Sequence, residues 1–107
     1  MRRIEERETR DIKYGNLSLN VRKVQASIDD EIVPLSVLET KLLGYFLENP
    51  GIVLPRREIL NQVWADVNVS DRTVDAHIVA LRRKIANFDH EIATVYGAGY
   101  SLRPKMD

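Results

Sequence analysis

The segment "SDRTVDAHIVALRRKI", residues 70–85, begins on polar residues suited to capping a helix and ends on a run of cations. At about 100 degrees per residue, Val74, Ile78, Leu81 and Ile85 fall on one side of such a helix. Arg72, Thr73, Ala76, Val79, Ala80 and Arg83 gather on the other. The pattern predicts a helix capped by Ser70 or Asp71 and running to about Asn87, with the first set in the core and the second on the surface. Small apolar side chains between arginines are an unusual solvent face, so what that face touches becomes the functional question.

The flanking segments show what the inner stripe packs on. Upstream, "ADVNVS" is a polar connection. Before it, Pro55 suits the first turn of a second helix whose Ile59, Leu60, Val63 and Trp64 form an apolar stripe. "IVL", residues 52–54, reads as a brief strand. A first helix is announced by Ser36 followed by Glu39, a capping-box signature, and by Leu38, Leu42, Leu43, Phe46 and Leu47 at helical spacing; it should stop near "ENPG". Between Ile12 and Val33, "IKYG", "LSLN", "KVQASI" and "EIVPL" are separated by Gly15-Asn16, Asn20 to Arg22 and Asp29-Asp30, which predicts three or four short antiparallel strands. Leu17, Leu19, Val24, Ile28, Ile32 and Leu102 join the helical stripes as expected core. Downstream, "ATVYGAGYSLRP" reads as a hairpin around Gly97 to Gly99. Residues 1–11 are a charged linker or tail, 12–104 the folded domain and 105–107 a short tail.

Composition narrows the classes of function. The 107 residues are 44% apolar and 30% charged, enough for one domain with a modest core. There is no cysteine, and His77 and His90 stand apart, so no metal site is expected and no cofactor is implied. No nucleophile, base and acid converge, and an enzyme is not expected. "GAG" in the hairpin is a turn and not a nucleotide fingerprint. No apolar run has the length of a membrane span and the start lacks a secretion signal, so the expected location is the cytoplasm, without membrane association. Sixteen basic and sixteen acidic residues cancel, but acidic residues concentrate in "IEERE" and "DDE" while "PRRE", "LRRK" and "SLRPK" make the second half the natural face for an anion.

A sheet, three helices and a terminal hairpin, with an exposed face on the third helix, make an α+β winged helix-turn-helix the expected fold. "LSVLETKLLGYFLENPGIVLPRREILNQVW", "DRTVDAHIVALRRKI" and "TVYGAGYSL" resemble, in order and spacing, the C-terminal DNA-binding (effector) domain of the OmpR/PhoB family of bacterial response regulators, over roughly residues 12 to 103. The resemblance implies a transcription factor of a two-component, phosphorelay system. Its third helix (residues 71–87) would enter the major groove of double-stranded DNA and its wing (96–100) the minor groove, while the loop at residues 65–70 would meet RNA polymerase. It also implies a homodimer on tandem promoter sites, and a phosphorylatable receiver domain to which "MRRIEERETRD" looks like the junction.

Arg56, Arg72, Arg82 and Arg83 are placed to meet phosphates, Arg56 at a helix start whose amides can share an anion; alternatively, these arginines simply solvate a face. Lys84 points farther round and is expected to be solvated. The wing contributes Tyr96, Gly97 and Ala98. Tyr96 is suited to meet a sugar or phosphate, or else to pack beside Tyr100. Trp64 reads first as a core residue, with a phosphate contact second, and His77 as a packed neutral histidine. The sequence departs from the resemblance at Val79, Ala80 and Tyr96, where family members often carry arginines. The methyl groups of Thr73, Ala76, Val79 and Ala80 are suited to lie against thymine methyls; alternatively the helix lies closer to the phosphates and DNA shape gives specificity. A second class of function stays open, a protein-binding winged helix using Ala76, Val79, Ala80 and Tyr96 as an apolar patch.

Overall fold

A computed structural model describes residues 11–65 and 68–106. Apart from Asp11, the expected tail of residues 1–11 lies outside the described residues, as does Asp107. Asp11 itself is tied to the domain, accepting hydrogen bonds from Asn20 Nδ2 at 3.0 Å and Ser18 Oγ at 3.3 Å.

Four strands, β1 (Ile12–Tyr14), β2 (Leu17–Asn20), β3 (Gln25–Ile28) and β4 (Glu31–Val33), pair antiparallel in chain order. Leu17, Leu19, Ala26 and Ile28 point inward from β2 and β3 and are buried. Two residues expected in the core are not there. Ile32 pairs with Ser27, across the sheet from the inward set, and is 71% exposed. Val24 belongs to the turn before β3, at a φ of 51° and only partly buried, so the strand expected from "KVQASI" begins at Gln25.

Helix α1 (Val37–Glu48) starts as its sequence requires: the Glu39 N–H donates to Ser36 Oγ at 3.1 Å and the Ser36 N–H to Glu39 Oε1 at 2.9 Å. Its Leu42, Leu43, Phe46 and Leu47 are buried, with Leu38 partly so. No strand forms at "IVL". Leu54 alone makes a bridge, exchanging backbone bonds of 2.7 and 3.0 Å with Tyr100, because the following Pro55 has no N–H to extend the ladder. Pro55 is the cap of α2 (Arg56–Val63) and precedes its first turn.

Helix α3 (Asp71–Lys84) buries Val74, Ile78 and Leu81, with Ile85 at its C-cap also buried. Asp71 in its first turn and Arg82, Arg83 and Lys84 in its last match the helix dipole. The helix stops three residues short of the expected Asn87. Beyond Ile85 the chain bends to bury Phe88, and Asn16 from the β1–β2 turn holds the bend by donating to the Asn87 carbonyl and accepting from the Asp89 N–H, both at 2.9 Å. Gly15 suits this junction: it adopts a φ of 56°, and a Cβ there would displace the Asp89 carboxylate.

The hairpin is longer than expected. β5 (His90–Val95) and β6 (Gly99–Pro104) pair from His90↔Pro104 to Val95↔Gly99 and add Ile92, Tyr100 and Leu102 to the core. Gly99 passes so close to Leu54 that a side chain would meet its carbonyl. The architecture is the expected α+β winged helix, with α3 and the hairpin on one side of the shared core.

Candidate nucleic-acid interface

Burying Val74, Ile78 and Leu81 turns the opposite stripe of α3 outward. Arg72, Ala76, Val79 and Arg83 are exposed, Val79 by 52%, and Thr73 and Ala80 are half-buried. Beside the start of α3, the wing turn Tyr96-Gly97-Ala98 is exposed and closed by the Ala98 N–H donating to Val95 O at 2.9 Å. Tyr96 is 92% exposed, so the packed position beside Tyr100 is not the one adopted; Tyr100 alone enters the core. A cleft of about 360 Å³ joins the wing turn to the starts of α2 and α3, lined by Arg56, Arg57, Asp71 and Tyr96 among others. Arg57 was not singled out from the sequence, although "PRRE" contains it.

The four assigned arginines separate into two pairs. Arg56 Nε donates to Asp75 Oδ1 at 2.8 Å, and the same oxygen accepts from the Tyr100 hydroxyl at 2.6 Å. The Tyr100 hydrogen bond holds the Asp75 carboxyl below the usual aspartate range, against the opposing pull of burial and with help from Arg56. Burial pushes the Tyr100 phenol up, and its bond to Asp75 adds to that. Arg82 reaches the hairpin: Nε donates to Ile92 O at 2.7 Å, Nη2 to Thr94 Oγ1 at 2.8 Å, and the guanidinium lies 5.5 Å from the centre of the Tyr100 ring. Arg56 and Arg82 thus fasten α2, α3 and the wing together. Arg72 and Arg83, by contrast, make no hydrogen bond or ion pair with the described residues.

Supporting residues lie beneath. Trp64 is buried and meets His77 edge-on with ring centres 5.1 Å apart, while His77 Nδ1 lies 3.0 Å from the Thr73 carbonyl. Lys84 is not solvated as expected; its Nζ donates to the buried Glu39 Oε1 at 2.8 Å, joining α3 to α1. Burial alone would raise the Glu39 carboxyl, but the Lys84 and Ser36 hydrogen bonds outweigh it and hold the group below the ordinary glutamate range. Of the loop at residues 65–70, Asp66 and Val67 lie outside the described residues. Among the described residues no group of acidic, histidine or cysteine side chains is arranged to hold a metal ion, and no helix is long and apolar enough to cross a membrane.

The family described as transcriptional regulatory protein, C terminal, matches residues 29–102. The chain belongs to that family, of OmpR/PhoB type. Among curated members, the phosphate regulon transcriptional regulatory protein PhoB of Shigella flexneri is 38% identical over 98 residues, which are 89% of this chain and 43% of PhoB. The chain therefore spans about two fifths of the length of that family member. Among solved members, the RstA DNA-binding domain of Klebsiella pneumoniae, in complex with the RstA box, aligns with a TM-score of 0.77 at 28% identity, covering 90% of this chain and 99% of that one. The DNA-binding domain of the response regulator AdeR, in complex with an intercistronic region, gives 0.76 at 26% identity, covering 87% and 99%.

Proposed function

We propose that this domain is the DNA-binding effector part of a two-component response regulator, binding double-stranded DNA with α3 in the major groove and the wing turn in the adjacent minor groove. The observation that carries the reading is the outward face of α3. Its small residues lie between the two exposed arginines, Arg72 and Arg83, beside an equally exposed wing turn. The RstA and AdeR domains, which share the fold, were solved in complex with the RstA box and an intercistronic region, respectively. In this reading Arg72 and Arg83 meet phosphates, Arg57 and the start of α2 add a third anchor, and Tyr96 rides on the sugar-phosphate wall. Arg56, Arg82 and Trp64 act by holding the contacting elements in place.

Further parts of the proposal rest on family membership: a receiver domain that controls the effector, paired copies on tandem promoter sites, contact of the residue 65–70 loop with RNA polymerase, and action in the cytoplasm. The deciding experiment is a mobility shift with genomic fragments at low salt. A retarded complex that dissolves as salt rises is the expected result; no retardation of any duplex removes the proposal. One observation favours a second reading, the exposure of Val79 and Tyr96, which a protein partner would cover as readily as a groove. That reading predicts that Val79→Asp abolishes capture of a protein while DNA binding is absent in the unmodified domain.

A further inference from the structure

The outward stripe of α3 has an ordered composition. Arg72, Ala76, Val79 and Arg83 follow at intervals of four, three and four residues, with Thr73 and Ala80 alongside. Between the two arginines, the only side-chain hydrogen-bonding group on the stripe is the Thr73 hydroxyl. The neighbouring polar side chains are committed elsewhere: Asp75 to Arg56 and Tyr100, His77 to the Thr73 carbonyl, Arg82 to Ile92 and Thr94, and Lys84 to Glu39. No guanidinium is left at the middle of the helix to read guanine, and no carboxamide to read adenine.

Eleven residues of helix place the Arg72 and Arg83 backbones about 16 Å apart. The major groove is about 12 Å wide. Laid across such a groove, the helix would bring both cations to the phosphate walls and turn the middle of the stripe to the base edges. What it offers those edges is methyl groups, and the one methyl group on a major-groove edge is that of thymine.

We infer that the middle of α3 selects thymine, seating Ala76, Val79 and Ala80 against thymine 5-methyl groups while Arg72 and Arg83 hold the flanking phosphates. The inference rests on the DNA-binding reading above and names the specificity that follows from it. A guanine or cytosine at the same positions presents polar atoms to an alkyl surface that cannot pair with them, so discrimination comes both from methyl contact and from unpaired groups on the wrong base.

The test begins with a random-oligonucleotide selection on the domain at low salt. Each thymine of the enriched site is then replaced singly by uracil, which removes only the methyl group. Binding should weaken about fourfold at two or more adjacent central positions, the effect of withdrawing one buried methyl each. In the Val79→Thr variant, which keeps shape and fold at an exposed position, the uracil effect should shrink at one of those positions and persist at the others. Unchanged affinity for uracil at every position overturns the inference while leaving duplex binding intact, and so does a selected core without thymine or binding without any enriched sequence. Failure to bind any duplex overturns the DNA-binding reading itself, and the thymine inference with it.

Discussion

Asp75 illustrates how much a single side chain at this interface decides. One of its carboxylate oxygens, Oδ1, accepts both from Arg56 on α2 and from Tyr100 on the hairpin, so these two bonds join the Arg82 bonds in fixing how the helices meet the wing. Tyr100→Phe keeps the Arg56–Asp75 pair and removes the Tyr100–Asp75 bond, leaving Arg82 to hold the hairpin to α3. It should lower DNA affinity roughly three- to tenfold, the cost of ordering the wing on binding, with the slope of log affinity against log salt unchanged. Arg83→Ala should behave oppositely, losing affinity and reducing that slope by about one, since a phosphate contact goes with it. Titrations at four or five salt concentrations (about 50 to 200 mM) separate the two, and a Tyr100→Phe variant with a flattened slope would make Tyr100 a contact residue. The sequence showed which way Arg83 points because α3 periodicity alone decides that. It did not show that Arg82 and Arg56 are engaged, because Ile92, Thr94 and Asp75 meet them only once the chain has folded back.

Among the elements, those whose signals are local were legible. The Ser36–Glu39 capping box, the turn at Asp29-Asp30 and the stripes of the three helices all appear where the residues place them. Misreadings arose where a neighbour in space overrides the local pattern. "IVL" has strand-forming residues but only Leu54 finds a partner, and α3 ends early because Asn16 captures the chain beyond it. The Lys84–Glu39 bond between α3 and α1 belongs to the same class, and it carries a pH signature. The folded-state pKa of Glu39 lies below its unfolded value, so in acid the unfolded chain binds the proton more readily. This contribution is complete above the ordinary glutamate pKa and is lost as pH falls through the lower folded value. Lys84→Met should cost about 1 kcal/mol at neutral pH, discounted because Lys84 is 41% exposed, and should flatten the acid limb of the stability profile. Urea titrations at about pH 7 and about pH 4 measure this; an equal cost at both would assign the effect to packing.

For the molecule as a whole, sixteen basic and sixteen acidic residues cancel, and affinity for DNA must come from how charge is distributed. With about three to five phosphate contacts per domain, a single copy should bind weakly and lose affinity steeply with salt. Duplexes carrying two sites in tandem should be bound more tightly than the product of two independent events, by a factor that vanishes when half a helical turn is inserted between the sites. Equal affinity before and after the insertion would show the copies to be independent. The order of sheet, helices and hairpin was legible over the described residues, whereas the docking of the sheet's first turn onto the base of the hairpin was not. That junction has a consequence for how the domain reaches its native state. Asn16 meets Asn87 and Asp89 across more than seventy residues of chain, and closing so large a loop is entropically slow. The clasp is therefore expected to fasten after the folding barrier has been crossed, and Asn16→Ala should hasten unfolding in stopped-flow measurements while leaving the refolding limb of the chevron where it was.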